Sequence, residues 1–262
     1  MGQERDTMTS PKTLQGPLAW SQIWRRPLPH SPRRPLRLLT RATLSLVAGK
    51  LIQCKGAEHI HPRHDPFILV LNHSQKLEAL YLPALINFLR HGKLVHFLAD
   101  WNFCLVPGIW LFYHYGEVIT VARKPAKPRF LNGLKPLFTP KEGTLALAMR
   151  QLKRGKSLGI FPEGTTNRHP TELLKGHSGA ARLSLSLGVP VVTAGVTFPK
   201  LLPGQATPEG IPFSLEFAPA MCPPDHLSAK RIDDVRQWHG MLMQGIASLS
   251  QKQWNPKLRR SQ

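Results

Sequence analysis

Carboxylates are scarce in this chain, and over one long stretch there are none. No Asp or Glu occurs from Thr7 to Ala57, while nine basic residues do: Lys12, Arg25, Arg26, Arg33, Arg34, Arg37, Arg41, Lys50 and Lys55. The whole chain of 262 residues has 35 Lys and Arg against 15 Asp and Glu, a formal net charge of +20. That balance implies an anionic partner: nucleic acid, an acidic membrane surface or a phosphorylated substrate. No helix-turn-helix, zinc finger or aromatic RNA-binding box accompanies the charge, so nucleic acid is set aside. Cysteine is also sparse. Cys54, Cys104 and Cys222 are odd in number and far apart, with no Cys-x-x-Cys. This excludes a disulfide framework and a zinc pattern, and suits a reducing compartment. Long apolar runs are missing too. No stretch of 18 or more apolar residues exists, which argues against a conventional transmembrane helix. No apolar core with a small-residue cleavage site follows the start, which argues against a secretory signal peptide. The Arg- and Ser-rich first 50 residues leave organellar targeting open, although Glu4 and Asp6 weaken it.

What is present supports one sizeable core. Hydrophobic residues make up 42 % of the chain, enough for a single domain of this length. Several of the 25 prolines cluster before residue 36, so residues 1–35 read as a disordered, basic, Pro-rich tail. Residues 36–52 read as an amphipathic helix, with Leu36, Leu39, Thr43, Leu46, Val47 and Ala48 near one stripe. Arginines beside that stripe, together with Trp20 and Trp24, fit an anionic membrane face. Each basic side chain there contributes on the order of 1 kcal/mol. The rest, 53–255, reads as the main globular domain. Strands are expected at Gln53–Gly56, Phe67–Leu71, Leu94–Leu98, Val118–Val121, Ser157–Phe161 and Val191–Val196, with an edge strand at Ile211–Phe217. Helices are expected at Gln75–Leu89, Lys141–Arg154, Ser178–Leu187 and Ala229–Ser250. Lys124–Pro140 reads as a mobile basic loop. Phe103–Phe112 is an apolar stretch broken by Pro107-Gly108, either buried core or an apolar wall for lipid or an acyl chain. Strands alternating with helices point to the α/β class.

Two short boxes carry chemistry. Asn72-His73-Ser74-Gln75-Lys76-Leu77-Glu78 directly follows the apolar strand candidate. On a continuous helix five positions amount to about 500°, leaving the two side chains roughly 140° apart. They meet only if His73 lies in a strand-to-helix turn and Glu78 sits one turn into the helix. The carboxylate then fixes the imidazole tautomer and leaves the other ring nitrogen as a general base. A helix N-terminus beside the pair also favours a developing oxyanion. The second box is Phe161-Pro162-Glu163-Gly164-Thr165-Thr166-Asn167-Arg168, a Glu-Gly turn with an arginine suited to phosphate. A third cluster, Glu58-His59-Ile60-His61-Pro62-Arg63-His64-Asp65, holds three His and two carboxylates. Its proline, its intervening Arg and the absence of ligand-like spacing elsewhere favour a polar surface turn over a metal site.

These boxes resemble those of the glycerolipid acyltransferases, the lysophosphatidate acyltransferase family. Gly116-Glu117-Val118-Ile119-Thr120-Val121-Ala122-Arg123 is similar to the family's second box, and Phe161–Arg168 to its third. Leu173–Ala180 follows at the family's usual place, and Val189–Ala194 resembles the fourth box. The resemblance covers roughly residues 55–200. One position departs from it: the family pattern is His-x-x-x-x-Asp, and here the carboxylate is Glu78, one methylene longer.

The resemblance implies a single domain with a mixed, largely parallel sheet flanked by helices. It implies an O-acyltransferase in which His73 and Glu78 are catalytic. Arg123 and Arg168 bind the acceptor phosphate, Glu163 and Gly164 shape the acceptor site, and Thr165 and Lys175 belong to the same substrate-binding set. The acyl donor is acyl-CoA or acyl carrier protein, with no metal and no other cofactor. The acceptor is a lysophospholipid, by default 1-acylglycerol-3-phosphate giving phosphatidate. Another lysolipid, glycerol-3-phosphate, or a catalytically inactive membrane-binding member are the alternatives. The expected location is the cytoplasmic face of a membrane, peripheral or monotopic, in contact with anionic lipids.

Overall fold

Ile68–Leu71 is a run of four side chains, and all four are buried. A strand apolar on both faces belongs in the middle of a sheet, and there it lies. The computed structural model describes residues 13–106, 108–122, 125–126, 129–139, 142–199 and 205–258. Its elements run β1 (Thr13–Gln15), α1 (Trp20–Arg25), α2 (Arg34–Val47), β2 (Leu51–Lys55), β3 (Ile68–Leu71), α3 (Glu78–Leu89), β4 (His96–Asp100), α4 (Ile109–Tyr115) and β5 (Ile119–Val121). There follow α5 (Lys135–Phe138), α6 (Thr144–Lys153), β6 (Leu158–Ile160), β7 (Glu172–Leu173), α7 (Gly179–Leu187), β8 (Val191–Thr197), β9 (Phe213–Phe217), α8 (Ile232–Ser250) and β10 (Gln253–Trp254).

The main sheet has the order β1-β2-β9-β8-β3-β6-β4-β5. Pairs β1/β2 and β8/β9 are antiparallel, and the remaining five are parallel. The sheet is therefore mixed and largely parallel, as expected. Its pleat divides two cores. Leu69 and Leu71 join Val192, Ala194 and Val196 under α2 and α3, while Ile68 and Val70 join Leu158 and Val191 under α6, α7 and α8. Each fully buried Leu, Ile or Val contributes about 1.5–3 kcal/mol, and truncating one to Ala costs about 2–5 kcal/mol.

Gly195 lets α8 approach. A Cβ there would stand 2.3 Å from the Leu249 carbonyl carbon and 2.4 Å from the Ser250 nitrogen. Below β3, Arg90 is fully buried and forks onto both Asp65 oxygens at 2.7 and 2.8 Å. The histidine-rich turn is thus tied to the core through Asp65, which also accepts from Ser157 Oγ and pairs with Lys93. Among the described residues, no group of three or more His, Cys, Asp or Glu is placed to hold a metal ion.

Five expectations need correction. Residues 13–35 are not a loose tail: β1 pairs with β2, and Leu18, Ile23 and Leu28 are buried in the α2–α3 core. The prolines there shape connections rather than disorder, and residues 1–12 lie outside the described set. The buried stripe of α2 is Leu36, Thr40 and Leu44, with Val47 and Ala48 packed beside it; Leu46 is 83 % exposed. Strand β9 is not an edge, because β2 and β8 flank it. Its alternation of buried Phe213, Leu215 and Phe217 with more open Ser214 and Glu216 marks one solvated face, not a free edge. In the apolar stretch 103–112 no described residue is buried, and Phe103, Val106 and Trp110 are exposed, so it is not core. Part of the expected basic loop is ordered as a helical turn, Arg129–Leu134, followed by α5. No described helix is long and apolar enough to cross a membrane.

Candidate active site

The site begins where β3 ends. Asn72 is fully buried and does not cap a helix. Its Nδ2 donates to the Val196 carbonyl at 3.0 Å, and its Oδ1 accepts from the Val196 N–H at 2.7 Å. This pins the turn to β8. The chain curls through Ser74–Leu77, and α3 starts at Glu78, later than expected. Glu78 therefore stands at the helix N-terminus rather than one turn inside, where a carboxylate is also favoured by the helix dipole.

That curl brings the pair together. His73 Nδ1 lies 2.9 Å from Glu78 Oε2, and the same oxygen accepts from the Ser74 N–H at 2.7 Å. The longer Glu side chain thus makes the contact. Glu78 is fully buried, while the His73 side chain retains 11 % exposure. Burial pushes the Glu78 carboxyl above its ordinary range; the hydrogen bond and charge of His73 and the Ser74 N–H act against it. With Glu78 ionised, Nδ1 carries the proton and donates, so Nε2 presents a lone pair. Nε2 lies 3.3 Å from Thr166 Oγ1.

The third box holds the histidine from the other side. Phe161 follows β6 and stacks on the His73 ring at 4.5 Å between centroids. The Asn167 N–H donates to the His73 carbonyl at 2.7 Å. Glu163 is buried and shapes this turn. Its Oε2 accepts from Asn167 Nδ2 at 2.7 Å and from the Leu174 N–H at 2.8 Å. Burial raises the Glu163 carboxyl, opposed by those donors and by the charge of Lys252. Gly164 adopts φ +64°, and a Cβ there would meet the His177 ring at 2.8 Å. Thr165 is half-buried on the same turn.

Other expected residues stand further out. Arg168 is exposed, and its Nε donates to the Thr207 carbonyl at 2.8 Å, so its position is set by the loop after β8. Lys175 offers its carbonyl to His239 Nε2 and Trp254 Nε1, while its side chain is exposed and not drawn to the dyad by any described contact. Arg123 lies outside the described residues; β5 carries the box only as far as Val121.

The sequence alone does not point to four further participants. Thr166 and Phe161 touch the His73 ring, although both sit within the expected box. Loop 205–210 strides between the boxes: the Gly210 N–H donates to Gln75 Oε1 at 2.8 Å, and Glu209 Oε1 accepts from the Lys76 N–H at 3.0 Å. Lys252 reaches Ser74 from beyond α8. Neither the loop nor Lys252 has a signal in spacing, because the pairing is made by the fold.

The arrangement gives a buried, carboxylate-oriented imidazole with one ring nitrogen open toward a polar turn. The acyltransferase family model matches residues 51–197, which includes both boxes. No curated protein matches the chain. Among solved structures, the 1-acyl-sn-glycerophosphate (LPA) acyltransferase PlsC from Thermotoga maritima is similar with a TM-score of 0.53 and 19 % identity, over 87 % of this chain and 81 % of that one. At that identity the likeness is one of fold.

Proposed function

The chain belongs to the acyltransferase family, and from that premise we propose that it transfers a fatty acyl group from acyl-CoA or acyl carrier protein to the hydroxyl of 1-acylglycerol-3-phosphate, giving phosphatidate. The observation that carries the reading is the 2.9 Å contact between His73 Nδ1 and the buried Glu78, which leaves Nε2 as base. In the reaction, Nε2 takes the acceptor's hydroxyl proton as its oxygen attacks the thioester carbonyl carbon. A C–O bond forms, the C–S bond breaks, and the proton passes to the departing thiolate. Glu78 stabilises the imidazolium between those steps. Thr166 Oγ1, 3.3 Å from Nε2, marks where an incoming hydroxyl would stand.

The acceptor class rests on the arginines and on the fold shared with PlsC. Arg168 is exposed and fixed at its Nε by the Thr207 carbonyl, which suits it to an anion, and Arg123 follows Val121 in the box that resembles a phosphate site. The enzyme works at the cytoplasmic face of a membrane as a peripheral or monotopic protein. Support comes from the exposed apolar side chains Leu46, Phe103, Trp110, Phe130 and Leu137 and from the basic face of α2. Anionic lipids are its surface partners.

The test is incubation of the purified protein with acyl-CoA, or acyl carrier protein charged with the same chain, and a panel of lysolipids plus glycerol-3-phosphate. Products are identified by mass. Phosphatidate from 1-acylglycerol-3-phosphate is the expected result. Acylation of another lysolipid alone would move the acceptor, and no acylation of any would overturn the reading.

A further inference from the structure

The segment after α8 carries a lysine into the middle of this site. Gln251 closes the helix in the left-handed region at φ 55°, and Gln253–Trp254 then pairs with β7. Between them Lys252 is only 7 % exposed. Its Nζ donates to Ser74 Oγ at 2.9 Å and to the His169 carbonyl at 2.7 Å. Ser74 is the residue whose N–H holds the Glu78 oxygen that His73 uses. His169 lies on the loop leaving the Glu163 turn. One ammonium therefore fastens the two boxes to each other. It does so from outside the segment matched by the family.

The charge suits the place. Taking an ion out of water is costly unless it is answered by an opposite charge or by hydrogen bonds. Two carboxylates are buried here, Glu78 fully and Glu163 at 5 % exposure. One oxygen of each is held by donors, while Glu78 Oε1 and Glu163 Oε1 are buried with no well-formed hydrogen bond among the described residues. Glu163 and Glu78 are the charges that favour the protonated Lys252 against its burial. With His73 neutral, the pocket would hold two negative charges without it.

We propose that Lys252 is a positioning residue for acyl transfer, an ammonium that locks the His73–Ser74 turn to the Glu163 loop and acts as counter-charge to the two buried glutamates. This rests on the acyl-transfer reading above. The charges that bear on the lysine are Glu163, on the turn after β6, and Glu78, which is paired with His73 on the catalytic turn, while His169 meets the ammonium through its carbonyl. Removing the positive charge lets the buried Glu78 take up a proton more readily, so Nδ1 loses its acceptor at a higher pH.

Lys252→Met keeps most of the side-chain length and removes the charge. In a profile of kcat/KM against pH, its acid limb is expected to move up by about one pH unit. That is about a tenfold loss at fixed pH on the limb, with KM for the acceptor little changed. A folded Lys252→Met enzyme whose limb coincides with that of the wild type overturns the proposal. Thermal melting adds an arm that needs no catalysis. Lys252→Met strands two carboxylates, so Glu163→Gln combined with Lys252→Met is expected to melt higher than Lys252→Met alone, including where the single variant fails to fold. A double variant that melts no higher also overturns the counter-charge. Should the wild-type chain transfer no acyl group, the acyl-transfer reading fails, and the melting arm still decides the coupling.

Discussion

Glu78 shows how one extra methylene is accommodated. A shorter carboxylate is the family's usual residue, yet here Oε2 reaches both Nδ1 of His73 and the Ser74 N–H because the turn curls fully before α3 begins. The charge, rather than the hydrogen-bond geometry alone, is what supports an imidazolium. Glu78→Gln is therefore expected to lower kcat by about 10²–10⁴-fold, while Glu78→Asp keeps measurable turnover. Steady-state kinetics on both variants checks this, and a Gln enzyme as fast as the wild type would show the charge to be irrelevant. The same carboxyl sets a pH limit. Burial holds it above its ordinary value of 4.5. Protonation as the pH falls removes the acceptor from Nδ1, so the acid limb of kcat/KM is expected at a pH above that value. A profile flat down to pH 4.5 would contradict a working Glu78 carboxylate.

At the scale of elements, the site depends on what lies behind β3 and β8. Helix α8 packs on β8 so closely that Gly195 has no room for a Cβ, and α8 is what delivers Lys252. Gly195→Ala is expected to destabilise the fold by about 1–3 kcal/mol or more, as overpacking does, measured by denaturant unfolding; an unchanged midpoint would show that the helix can shift freely. This layer also explains what the sequence made legible. The apolar runs of β3, β6 and β8 stand out because they are buried on both faces, and the two boxes stand out because each is contiguous. Other features were hidden for physical reasons. Proline density before residue 36 resembled disorder, although β1 and the Ile23 and Leu28 side chains complete a core. The start of α3 came late because the catalytic turn, not helix propensity, decides the backbone at Ser74–Leu77. Loop 205–210 and Lys252 act through contacts between residues more than a hundred positions apart, which no local pattern reports.

Across the whole molecule, a net charge of +20 and a set of exposed apolar side chains are the features on which the proposed membrane interface rests. Because residues 13–52 are part of the fold, the membrane reading is better tested by charge reversal than by truncation. Arg34→Glu with Arg37→Glu is expected to weaken binding to anionic vesicles by about tenfold or more, at about 1 kcal/mol per basic residue, and to leave binding to neutral vesicles unchanged. Wild-type binding should also fall as salt rises, since exposed charges are screened over about 8–10 Å at physiological ionic strength. Flotation that is equal for both proteins would remove α2 from the interface. The central claim concerns the chemistry, in which His73 is the base that moves an acyl chain onto a lysophospholipid. Its most direct test is release of free thiol from acyl-CoA in the presence of 1-acylglycerol-3-phosphate, by the wild type and by folded His73→Ala. The account predicts acceptor-dependent release by the wild type and a loss of about 10²–10⁴-fold or more in the variant; equal release by both would contradict it.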